Sequence, residues 1–127
     1  MNIDQANRAH LICRRLDNAG HDGLDLIGTH GDRRVYRSNC WAIKGEEASM
    51  LQGGYVYFHE HFATPSTFGG EVLWWCRSHD VHSPRTNEYR VILFIAADPK
   101  AIDVLWEGHA NPGNFWGGIV KPMEDVA

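Results

Sequence analysis

Residues 53–75 read GGYVYFHEHFATPSTFGGEVLWW: two β-prone runs, each led by a Gly-Gly pair, on either side of a loop. In the first run Tyr55, Tyr57 and His59 alternate with Val56, Phe58 and Glu60. That is the two-residue period of a strand with two different faces. The second run alternates as well, with Val72, Trp74 and Cys76 opposing Glu71, Leu73, Trp75 and Arg77. The loop between them carries Pro65, Ser66, Thr67 and Phe68. A chain with this centre is predicted to fold around a strand–loop–strand unit with aromatic side chains on both faces.

The flanking sequence adds further extended segments at residues 24–29, 33–43, 89–97 and 101–107. Turn residues at 30–32 and a polar stretch at 78–88 separate them. Residues 46–52 predict one or two helical turns ending at Gly53. At the amino end, Ala6, Ala9, Ile12, Cys13 and Leu16 recur at three- and four-residue spacing. Asp4 can serve as N-cap and Gly20 as C-cap, so an amphipathic helix is predicted over 4–19. Glycines and prolines make 108–127 an irregular tail, with a short pairing at Ile119–Val120. The fold class that follows is α+β, in one domain. A mostly antiparallel small β-barrel or strongly bent sheet over about 24–107 carries the amino-terminal helix on an end or edge. No βαβ alternation argues for a doubly wound sheet.

The 127 residues are 43% hydrophobic and 22% charged, enough to build a core without disulfide or metal. Cys13, Cys40 and Cys76 are odd in number and contain no CxxC, which predicts buried, reduced thiols. A net charge of −4 argues against a long nucleic-acid backbone track and for a pocket ligand. No apolar run approaches the roughly 20 residues of a bilayer span. The first residues lack a basic-then-apolar leader, so a cytoplasmic protein without membrane contact is expected.

Established catalytic patterns are missing. Eight histidines include His59, His61, His79, His82 and His109, but no HExxH occurs. Glu60 and Glu71 can face each other across a hairpin, yet no carboxylate-x-Lys motif follows. Gly-x-Ser-x-Gly and the glycine-rich phosphate loops are absent too. Neither a cofactor nor a metal is expected. What stands out instead is an aromatic content of 11%, with Trp41, Trp74, Trp75 and Trp106 all in extended segments. Trp74 and Trp75, being adjacent, point to opposite faces of one strand. Such rings either stack on a flat ligand or fill a core.

The segment Leu51-Gln-Gly-Gly-Tyr-Val-Tyr-Phe-His59, the loop to Thr67 and the return at Gly69-Gly-Glu-Val72 resemble PUA-like domains of the EVE and ASCH type. Trp41 falls where some EVE-type domains carry an early strand tryptophan. The resemblance covers about residues 36–107. Gly54 stands where that family prefers Asp, and the 4–19 segment lies outside the pattern. It implies a small barrel with a cleft for a flipped or single nucleobase. Trp41, Tyr57, His59 and Trp75 would line the cleft, and Ser66 or Thr67 would supply polar contacts. The sequence thus predicts a non-enzymatic binding module with an aromatic cleft for a nucleobase or nucleotide. Two alternatives stay open: a protein-interaction or accessory protein of a mobile genetic element, and a small metal-assisted hydrolase using His59, Glu60 and His82 or His109. The partner protein, if any, and the oligomeric state are not encoded in readable form.

Overall fold

The computed structural model describes residues 7–12, 24–38, 43, 45–61, 63–78, 90–107 and 116–120. Within them lie seven strands: β1 (Arg8–Ile12), β2 (Leu24–His30), β3 (Arg33–Ser38), β4 (Tyr55–His59), β5 (Phe68–Ser78), β6 (Arg90–Ala97) and β7 (Trp116–Val120). One α-helix, α1 (Gly45–Leu51), precedes β4, and a 3-10 turn at Pro99–Ala101 follows β6. The strands form a single sheet in the order β2-β3-β6-β5-β4-β1-β7. Each assigned pairing is antiparallel except β1 with β4, which is parallel.

Two features of the predicted fold class are thereby corrected. The sheet is open, ending at β2 on one side and β7 on the other, and is not a closed barrel. The predicted helix over 4–19 is replaced at residues 8–12 by a strand inserted between β4 and β7; residues 4–6 and 13–19 lie outside the described set. Arg8-Ala9-His10-Leu11 satisfies a strand period as well as a helical one. Pairing on both edges decides between them, because neighbours on either side give the β1 backbone ladder partners. β7 also draws residues 116–120 out of the segment predicted as an irregular tail.

One face of the sheet carries the apolar core. Ala9 and Leu11 of β1, Val56 and Phe58 of β4, Val72 of β5, and Leu93 and Ile95 of β6 are all buried there. α1 lays Ala48 and Leu51 onto this layer, and Ile43 completes it. Glu46 and Glu47 occupy the first turn of α1, where the helix dipole favours negative charge. Gly53, at φ 82°, ends the helix in the left-handed region, and its N–H donates to Val72 O at 2.8 Å. That bond ties the helix exit to β5, the direct neighbour of β4 in the sheet.

β5 does not keep the simple alternation of its sequence. Val72 pairs with Ile95 and Trp74 with Phe94, so Leu73 is an extra residue in a bulge. Past the bulge the faces exchange. Trp75, opposite Leu93, joins Val72 against the core, while Trp74 is 58% exposed on the other face.

The alternation of Ile102, Val104 and Trp106 predicts a strand over 101–107, but the segment forms none. It runs as a strap with Asp103 at φ 69°, a left-handed conformation that interrupts any extended run. Ser66 holds the strap at four points. Its N–H donates to Val104 O at 2.8 Å, and its carbonyl accepts from Asp103 N at 2.8 Å. Its hydroxyl donates to Ala101 O at 2.7 Å and accepts from Val104 N at 2.9 Å.

Candidate functional site

The sheet face opposite the core is polar at its centre. Register places His10 of β1 beside Tyr57 of β4, and both side chains point to this face. Their rings stack at a centroid distance of 4.8 Å and an interplanar angle of 23°. His59, two residues further on β4, lies on the same face, with its Nε2 at 2.7 Å from His10 Nδ1. Trp106 on the strap closes over both histidines, at ring distances of 5.5 Å and 4.9 Å. Arg8 and Glu107 complete the group through a 3.2 Å ion pair.

Proton positions follow from the partners. His59 Nδ1 lies 2.7 Å from Thr64 O, and a carbonyl can only accept, so this nitrogen carries the hydrogen. In the neutral ring His59 Nε2 is then bare and accepts from His10 Nδ1–H. His10 in turn is left with a lone pair on Nε2. Burial, followed by the His59 and Arg8 charges, lowers the His10 pKa to about 3. Burial also lowers that of His59, against the opposing effect of the Thr64 bond. Both rings are therefore neutral at pH 7, and the relay Thr64–His59–His10 presents one acceptor at its end.

That acceptor has no hydrogen-bond partner among the described residues, although His10 is completely buried. Glu107 Oε1 lies 3.8 Å away, and a carboxylate oxygen, itself an acceptor, has no hydrogen to offer a bare ring nitrogen. Two donors in the same group share its condition: Arg8 Nε and Trp106 Nε1 are buried without a partner among the described residues. Leaving such an atom unsatisfied costs about 1–3 kcal/mol, so three in one group are unusual in a stable core.

A second polar group lies further across the same face. Arg33 Nη1 pairs with Glu71 Oε1 at 2.8 Å, and the Tyr55 hydroxyl donates to Asp98 Oδ2 at 2.8 Å. Burial first, and then the Asp98 bond, push the Tyr55 phenol up to about 12. Burial acts to raise the Asp98 pKa, but bonds from Lys100 N and Tyr55 hold it below the usual carboxylate value.

The residues predicted to line an aromatic cleft do not form one wall. Tyr57 and His59 belong to the buried polar group. Trp75 lies on the opposite face of the sheet, near Gly45 and Arg77. The Ser66 hydroxyl is committed to the strap, and Thr67 donates its N–H to Phe58 O at 2.8 Å. Trp41 lies outside the described residues. Among the described residues the alternative histidine–carboxylate centre does not assemble either. β4 ends at His59, so Glu60 and His61 are exposed in the following turn, where His61 Nδ1 accepts from Ala63 N at 3.1 Å. His82 and His109 lie outside the described residues. Among the described residues no three His, Cys, Asp or Glu side chains group as metal ligands.

Arg8, His10, Trp106 and Glu107 are the members of the polar group that the predicted cleft did not include. The short alternation Arg8-Ala9-His10-Leu11 was the available signal for the first two. Among the described residues no helix is long and apolar enough to cross a membrane. Comparison with protein-family models, with curated proteins and with solved structures finds no match to this chain.

Proposed function

We propose that this protein is a binding module for a small polar ligand, held by Arg8, His10, Trp106 and Glu107, and that a nucleobase is the ligand class. The observation that carries the reading is the group of three buried, unpartnered polar atoms: one acceptor on His10 and a donor each on Arg8 and Trp106. A ligand that satisfies them presents a donor and an acceptor on one compact edge. Nucleobase edges alternate donors and acceptors in this way. The resemblance to PUA-like domains points to the same class of ligand. Entry requires Glu107 and the strap to move aside. The Glu107 side chain is 45% exposed, and residues 105–107 belong to no strand or helix themselves.

Proton-transfer catalysis is less favoured by the same residues. An imidazole whose pKa is lowered to about 3 is a weak proton acceptor, and an efficient base has a pKa near the working pH. Recognition asks only for a lone pair in a known place, which the relay supplies.

Titration with free nucleobases and nucleosides, followed at the Trp106 indole N–H by NMR, tests the reading. A saturable shift of that resonance, identified by its loss in Trp106→Phe, is expected for at least one base. Arg8→Met should weaken the binding by roughly tenfold, the cost of one charge-assisted hydrogen bond. Absence of any shift at millimolar concentrations of all the common bases sinks the proposal.

A further inference from the structure

A cleft of about 400 Å³ opens where the β2–β3 turn meets the start of β5 and the 3-10 turn after β6. It shares no residue with the Arg8–His10–Trp106–Glu107 group. The volume lies in the range of small-molecule sites, about 300–1,000 Å³. Phe68, Ala97, Pro99 and Ile102 supply apolar wall. Ile102 is 49% exposed although it is a large aliphatic side chain, so the cleft leaves apolar area in contact with solvent. The wall that carries Pro99 and Ile102 is stiff. It lies between the Asp98 cap of the 3-10 turn and the four bonds to Ser66, and these bonds hold Asp103 in its left-handed conformation. Strain retained by surrounding hydrogen bonds is a recurrent property of binding walls.

Four charged residues line the cleft, and two of them are already engaged. Arg33 is bonded to Glu71, and both carboxylate oxygens of Asp98 accept hydrogen bonds, from Lys100 N and from Tyr55. Arg34 and Asp32 are exposed and have no hydrogen-bond or ion-pair partner among the described residues. The cleft therefore combines an apolar wall with one cation and one anion that are unengaged among the described residues, two positions apart on the β2–β3 turn and the strand that follows it.

We infer that this cleft binds a small zwitterion with an apolar body, the chemistry of a free apolar α-amino acid. Its carboxylate pairs with Arg34, whose guanidinium can engage both oxygens. Its ammonium pairs with Asp32. Its side chain covers Phe68, Pro99 and Ile102, removing from water the apolar surface that Ile102 leaves exposed.

Three ligands that share one aromatic side chain separate the contributions: L-phenylalanine, N-acetyl-L-phenylalanine without the ammonium, and L-phenylalaninamide without the carboxylate. Each is titrated into the full-length chain and followed by amide shifts in ¹⁵N-labelled protein. L-phenylalanine should move the Gly69, Ala97 and Ile102 amides with a saturable curve, and each derivative should bind roughly tenfold more weakly. Arg34→Ala should weaken L-phenylalanine while leaving the amide derivative unchanged. Asp32→Asn should weaken L-phenylalanine while leaving the N-acetyl derivative unchanged. Both side chains are exposed, so an unaltered far-ultraviolet spectrum confirms folding of each variant. Equal binding of the three ligands overturns the inference. So do shifts confined to other residues, or none at about 10 mM L-phenylalanine, a concentration that reports affinities weaker than millimolar. Each of these results leaves the Arg8–His10 site untouched, since the two sites have no residue in common.

Discussion

His10 and His59 link the stability of the protein to acidity through two single atoms. Both folded-state pKa values lie below the unfolded value, His10 at about 3 against 6.5. Between those limits the unfolded chain binds more protons than the folded one, so stability falls as pH drops. The histidine contribution should be constant above about pH 7 and decline from pH 6.5 toward 3, by an upper bound on the order of 4–5 kcal/mol for His10. Urea unfolding at pH 7.5, 6, 5 and 4 measures the slope. His10→Phe should flatten it. At neutral pH the same variant should cost about 1–3 kcal/mol, because His59 Nε2 then loses its donor within the core. A slope unchanged by the substitution would mean that other groups control the acid transition. Neither histidine's part was legible locally. His59 sits in a readable strand, but its partner lies 49 residues away. His10 falls among residues whose apolar spacing fits a helix equally well, and five residues are too few for alternation to settle the period.

Among the elements, the strap and β5 depend most on individual backbone contacts. Ser66→Ala leaves Val104 N and Ala101 O without the hydroxyl that joins them. A loss of about 2 kcal/mol is expected, with faster amide exchange confined to residues 101–107. Uniform exchange through the sheet would argue against a local clasp. Gly70 is more demanding. A Cβ there would collide with the backbone carbonyl of Ala96 on the neighbouring strand, which cannot yield without breaking the β5–β6 ladder. Gly70→Ala should cost more than about 3 kcal/mol by thermal or urea unfolding. The extended centre of the chain was legible because β4 and the start of β5 alternate cleanly and are bounded by glycines. The exchange of faces at Leu73 was not, since a bulge is set by the partner strand and leaves no mark on hydropathy. The strap misled for the opposite reason. Ile102, Val104 and Trp106 have a strand's spacing, but the Ser66 bonds draw the chain into a left-handed bend instead.

At the scale of the whole molecule, the decisive feature is the insertion of β1 between β4 and β7. Local pattern reports periodicity, whereas this pairing joins residues 8–12 with 55–59 and with 116–120, separations that no local signal encodes. Removing residues 1–12 would bare one edge of β4 and leave β7 without its neighbour, and it would take Ala9 and Leu11 out of the core. The shortened chain should lose its cooperative urea transition; retention of a sharp transition would show that β1 is dispensable. The same insertion determines when the polar group can exist. Arg8 and His10 come from the first strand, His59 from the middle of the chain, and Trp106 and Glu107 from just ahead of the last strand. A chain growing from its amino end makes His10 early but cannot place it until β4 has emerged. Even then the outer edge of β1 stays bare until residues 116–120 arrive. The buried histidine pair is thus completed late, and its ring contacts record that residues 8–12 and the strap carrying Trp106 have both reached β4.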